Sequence, residues 1–142
     1  MYQSEKPDLL RQVIRISFCV IVLLSAPISL AQSATMREQL GQLKILLEQA
    51  EQPNLVQLVE RALAGPDTSL DQFLVSNELW GGSGSIADSA GITAGGVQKL
   101  RKELEDKLIE IGRMQMQSGA VNPRTEMWVT TFEYWRDNGF RK

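Results

Sequence analysis

Leu100-Arg101-Lys102-Glu103-Leu104-Glu105-Asp106-Lys107-Leu108-Ile109-Glu110-Ile111 decides the fold. Leu100, Leu104, Leu108 and Ile111 recur at the spacing that lines one face of an α-helix, and Ile109 and Met116 broaden that face. Arg101–Glu105, Lys102–Asp106 and Glu103–Lys107 stand four apart on what reads as the wet side, each pair adding about 0.2–0.5 kcal/mol. The pattern predicts a helix over 97–118 that ends at Gly119.

Toward the C-terminus, Asn122-Pro123 reads as a cap followed by proline in the first helical position, where a missing N–H does no harm. A last helix follows to Asp137, closed by Asn138-Gly139. Trp128, Phe132 and Trp135 fall at i, i+4 and i+7, so these rings are expected in the core, with Met114 and Met116 filling gaps. Upstream, Leu40, Leu43, Leu47 and Ala50 predict a helix over 36–52, with Ile45 and Leu46 beside them. Thr35 and Glu38 have the spacing of a capping box at its start, and Pro53 is expected to stop it. Asn54 begins a second helix carrying Leu55, Leu58, Val59, Ala62 and Leu63, closed by Gly65 in a left-handed turn before Pro66. Thr68-x-x-Asp71 opens a short third with Leu70, Phe73 and Leu74. Residues 79–96 hold six glycines, which disfavour helix interiors by about 1 kcal/mol each, and read as a loop with one helical turn at Ile86–Ala90. No stretch alternates with a period of two, and there is no internal repeat. The fold class is all-α: a small bundle of about five helices with a Gly-rich central loop, occupying 35–140.

The first thirty residues differ. Lys6, Arg11 and Arg15 precede Ile16–Leu30, which has no charge, and Ser29-Leu30-Ala31 supplies a small-x-small site. A basic region, an apolar run and small residues are the parts of a secretory signal, so 1–31 reads as a targeting segment cleaved after Ala31. The expected location is periplasmic or secreted. The rival is an apolar anchor over 13–31, the only membrane contact expected; it is short against the roughly 20 apolar residues a span takes. A start at Met36 would instead give a cytoplasmic domain. Cys19 follows the bulky Phe18, which argues against lipidation there.

Several function classes are excluded. The chain has no histidine, which removes Ser-His-Asp and Cys-His catalysis and the usual zinc sites. Its one cysteine lies in the leader, so the domain has no disulfide and no thiol chemistry. Outside the leader, 12 Lys and Arg face 15 Asp and Glu, interspersed, against the clustered positive charge of nucleic-acid binding. No cofactor or metal site is expected.

The one segment whose chemistry invites a ligand is Trp80-Gly81-Gly82-Ser83-Gly84-Ser85-Ile86-Ala87-Asp88. Glycine-rich backbone entering a helix can offer N–H groups to an anion. Ser83 and Ser85 add hydroxyls, Asp88 a carboxylate, and Asn122 and Arg124 at the last helix start can join Trp80, Gly82, Gly84 and Asp88 if both ends meet. The bland alternative is that Ser85 caps a turn and Asp88 satisfies backbone. A serine nucleophile would need Lys99, Lys102 or a carboxylate as its base, and Glu78 with Asp88 is the nearest acid pair, so catalysis is the lesser expectation. The leading expectation is a non-catalytic interaction domain with a protein partner. The alternatives are an anion- or small-ligand site at 81–85 with Asp88 and Arg124, and an immunity- or antitoxin-like inhibitor.

Overall fold

The periodicities above become helices in the computed structural model, which describes residues 31–92 and 96–139. In chain order these are α1 (residues 31–49), α2 (Pro53–Ala64), α3 (Asp67–Leu74), α4 (Asn77–Trp80), α5 (Ile86–Ile92), α6 (Gly96–Lys99), α7 (Arg101–Ser118) and α8 (Thr125–Asn138). Two of these, α4 and α6, are four-residue turns, which leaves six longer helices and no strand among the described residues. None of them is long and apolar enough to cross a membrane. The targeting segment, apart from Ala31, lies outside the described residues, as does Phe140.

The chain divides into two units, Met1–Thr35 and Met36–Lys142. Of the first, residues 31–35 are described and are helical. Thr35 is therefore no N-cap: its hydroxyl donates back to the Ala31 carbonyl at 2.9 Å, as a helix-interior threonine does.

In the second unit the predicted stripes are buried. Leu40, Leu43, Leu47 and Ala50 of the first stripe, and Leu104, Leu108 and Ile111 of the seventh helix, join one core with Val59, Leu70, Trp80 and Phe132. Burial of each such leucine or isoleucine stabilises by about 1.5–3 kcal/mol. Trp128 and Phe132 stack at 5.3 Å, and Trp135 meets Phe132 edge-on at 5.8 Å from a half-buried position. α7 and α8 approach closely because residue 112 is glycine: a Cβ there would strike Val129 Cγ2 and stand 3.1 Å from Trp80 Cη2.

Several boundaries differ from expectation for tertiary reasons. Pro53 does not stop α1; it is the first residue of α2, and α1 closes earlier on Glu51, at φ 57°. Gln52 N–H donates to Leu47 O and Glu51 N–H to Glu48 O, both at 3.0 Å, a Schellman closure with glutamate where glycine is usual. Gly65 is extended, not left-handed, because Arg37 closes α2 from outside: its guanidinium donates to Leu63 O at 2.9 Å, Gly65 O at 3.0 Å and Asp67 at 2.7 Å. α3 starts at Asp67 behind Pro66, with no cap from Thr68. The helix over 97–118 breaks at Leu100 into α6 and α7. Met116 is 37% exposed and does not broaden the stripe; Gln115, at 1%, is buried in its place.

The charged face is also rearranged. Glu105 is buried, and Asp106 faces Arg136. Lys107 bridges to Gln39, Gln42 and Glu110, each at 2.6 Å, so it ties α7 to α1. Lys44 spans Glu60 at 3.0 Å and Glu48 at 3.2 Å; its pKa is held above the ordinary lysine value by the bond to Glu60 first and Glu48 second.

Glu51→Gly removes a left-handed conformation that costs an L-residue about 1–2 kcal/mol, against roughly 0.5–1 kcal/mol of extra unfolded-state entropy. The variant should be more stable by about 0.5–1 kcal/mol, read as a higher urea midpoint at unchanged slope.

Candidate functional site

The Gly-rich stretch is built from the ends of two helices. Ser76 caps α4, its hydroxyl accepting from Glu78 N at 3.1 Å and Leu79 N at 3.4 Å, and Gly81 N–H closes that turn on Asn77 O at 2.9 Å. Residues 81–85 then turn, with Gly84 at φ 86°, a conformation that favours glycine. Ser85 opens α5: its hydroxyl accepts from Asp88 N and donates to Gly81 O, both at 3.1 Å. Asp88 in turn accepts from Gly84 N at 3.1 Å. This is a near relative of the capping box, reaching one residue further upstream.

Segment 79–92 is thus less open than a loop. Leu79, Trp80, Ile86 and Ala87 have no exposed surface, and α5 extends the expected single turn to seven residues. Apolar burial of Trp80 and Ile86 outweighs the local cost of glycine. Residues 93–95 of the expected loop lie outside the described residues.

The start of α8 does meet this turn. Trp128 Nε1 donates to Trp80 O at 3.1 Å and Gly81 O at 3.3 Å. Asn122 donates to Val75 O at 2.9 Å and Asn77 Oδ1 at 3.2 Å, while its own Oδ1 accepts from Arg124 N at 2.9 Å. Asn122 therefore shapes the turn before α8, and Arg124, not Asn122, is the residue at its N-cap. Trp80 Nε1 donates to Gln115 Oε1, and Gln115 Nε2 donates to Leu74 O, each at 2.7 Å.

Of the eight candidates, Trp80, Ser85, Asp88 and Asn122 are held by these internal bonds. Gly82, Ser83, Gly84 and Arg124 face outward. Arg124 lies over the turn, its Nη1 3.1 Å from where a Cβ on Gly82 would stand. Neither Glu78 nor Asp88 is its partner: Glu78 lies 3.9 Å from Arg61, and Asp88 accepts from Gly84. Arg124 has no ion pair among the described residues. Lys99 and Lys102, considered as bases for a serine, line a cleft with Trp135 and Arg136 instead. The described residues include no cluster of three acidic, cysteine or histidine side chains that could hold a metal.

Gln115 was not singled out above, although it stands four after Ile111 on the apolar stripe. A polar residue in such a row is the sequence signal of a buried hydrogen bond.

Asn122→Ala removes part-buried bonds to the Val75 carbonyl, Asn77 and the α8 turn, and should destabilise by about 1–3 kcal/mol. Arg124→Ala, which severs none of them, should stay within about 0.5 kcal/mol of the parent by urea unfolding. Equal losses in the two variants would overturn this division of roles. Comparison with protein-family models, curated proteins and solved structures gives no match, so the functional reading rests on this geometry.

Proposed function

We propose that this chain is an exported, non-catalytic helical domain that binds a protein partner through the outer face of α8 and the adjoining 82–84 turn. One observation carries the reading. Met127 and Tyr134 are 51% and 54% exposed and stand seven residues apart, so they share one side of α8 with Thr131 between them. Arg124, with no carboxylate of its own among the described residues, heads the same row. Methionine, tyrosine and arginine are enriched in protein interfaces, and tyrosine and arginine dominate their energetics. The partner suited to this row offers an apolar strip with an acidic group placed against Arg124.

Site-specific photocrosslinking in the producing cell tests it. Photoreactive residues at Met127, Thr131 and Tyr134 should yield one discrete protein adduct, whereas one at the exposed Gln57 of α2 should not. No adduct from α8, or the same pattern from Gln57, would sink the assignment.

A second reading has one specific support: no hydrogen bond from the N–H groups of Gly82 and Ser83 is found among the described residues, and Arg124 Nη1 lies 3.1 Å from where a Cβ on Gly82 would stand. These groups could take an anion, as a turn of oriented amides does. Titration with inorganic phosphate should then shift the Gly82 and Ser83 amides saturably, and less in Arg124→Ala.

Export is favoured by the basic and apolar pattern of the leader. Mass spectrometry of the protein from fractionated cells should find a terminus at Gln32 outside the cytoplasm. A cytosolic terminus at Met36 would refute export.

A further inference from the structure

We propose that the cleft between α6–α7 and the end of α8 binds a small ligand carrying a phosphate group on a flat apolar body. The cleft has a volume of about 330 Å³, at the lower end of small-molecule sites. It lies some twelve residues along α8 from Arg124, roughly 18 Å at helical rise, and does not depend on that face.

Its charge runs against that of the chain. The whole sequence carries 15 basic and 17 acidic residues, yet the cleft is lined by Lys99, Arg101, Lys102 and Arg136 against two acids, Glu105 and Asp106. Both acids are already engaged: Asp106 faces Arg136 at 3.9 Å, and the buried Glu105 has a partner of its own. Arg136 is also bonded to Asp137 at 3.1 Å, which raises its pKa. Lys99 and Lys102 are exposed and have no ion pair among the described residues. Two lysines without an ion pair among the described residues, both on the lining of this concave site, favour a dianionic group such as a phosphomonoester. Trp135 supplies the apolar wall: its ring is only partly buried, braced edge-on by Phe132 at 60°. An indole so held offers surface to a planar group, while phosphate oxygens take the lysine donors. The phosphate could belong to a free ester or to a lipid headgroup, since the recognising chemistry is the same.

The test uses the folded protein labelled with ¹⁵N. Phenyl phosphate should shift the amides of Lys99, Arg101 and Lys102 and the Trp135 indole N–H saturably, with a dissociation constant below about 1 mM, the weak end of specific binding. Lys99→Gln/Lys102→Gln, both exposed, should keep the rest of the spectrum and weaken binding at least roughly tenfold, a loss of two charge-assisted partners. Inorganic phosphate should bind more weakly than phenyl phosphate, and equal affinity would overturn the role of Trp135. Vesicles of phosphatidylcholine with phosphatidic acid, a phosphomonoester, compared with phosphatidylcholine alone, identify the source: retention on the anionic vesicles, lost in the double variant, assigns a lipid headgroup. The absence of saturable shifts with phenyl phosphate together with no selective retention on vesicles would overturn the site. So would shifts that the double variant leaves unchanged.

Discussion

The second unit depends on Trp80 being buried with both of its polar groups satisfied. Its indole N–H reaches Gln115 of α7, and its carbonyl accepts from Trp128 of α8. Gln115 in turn donates to Leu74 O at the end of α3. Trp80, through its indole and its carbonyl, and Gln115 together tie four helices, α3, α4, α7 and α8, by buried hydrogen bonds. An unsatisfied donor or acceptor at such depth costs about 1–3 kcal/mol, so the bonds are conditions of burial more than sources of stability. The packing agrees with this arrangement. Gly112 leaves room for the Trp80 ring and for Val129 on the facing helix, where any larger residue would force α7 and α8 apart.

How much of this was legible in the sequence follows from which interactions are local. Apolar spacing located the long helices because a stripe is a property of one segment. Gly119 and Gly139 ended α7 and α8 as expected, each in the left-handed conformation and each with its N–H bonded four residues back. The end of α2 was misread because its carbonyls are closed by Arg37, which lies 26 residues earlier than Leu63. Leu79-Trp80, helical rather than loop, and the extension of α5 to Gly91-Ile92 depart from expectation for the opposite reason. The glycines of 79–92 argue locally against helix, and the compensating burial of Leu79, Trp80, Ile86 and Ala87 exists only once α7 and α8 are in place.

For the candidate site, the sequence named the Gly-rich turn and the start of α8 but left open whether they meet, and it did not show the division of labour between them. Ser85 and Asp88 have cap spacing, and that local role is what they perform. Asn122 reads as a cap in the sequence, but Arg124 takes that position and Asn122 instead holds the α3–α4 junction 45 to 47 residues away. Such a contact leaves no periodic trace. The exposure of Met127 and Tyr134 was equally hidden, because Trp128, Phe132 and Trp135 on the same helix account for its apolar content. Helical angles separate the two sets: Met127, Thr131 and Tyr134 follow one another at four and three residues, one position before each of the three core rings.

That one-residue offset links the core to the surface. Trp128 packs inward and donates to Trp80 O and Gly81 O, which fixes both the rotation of α8 and the path of the turn. With α8 so rotated, Met127 and Tyr134 have no core left to enter, and Arg124 falls over Gly82. Within the turn, Gly81 N–H goes to Asn77 O, Gly84 N–H to Asp88 and Ser85 N–H to Gly82 O. Gly82 and Ser83 are exposed, and Arg124 Nη1 lies over Gly82. The exposed turn and the outward apolar row are therefore two consequences of one buried arrangement. A substitution that rotated α8 by a single residue would hide the row and move the arginine off the turn together.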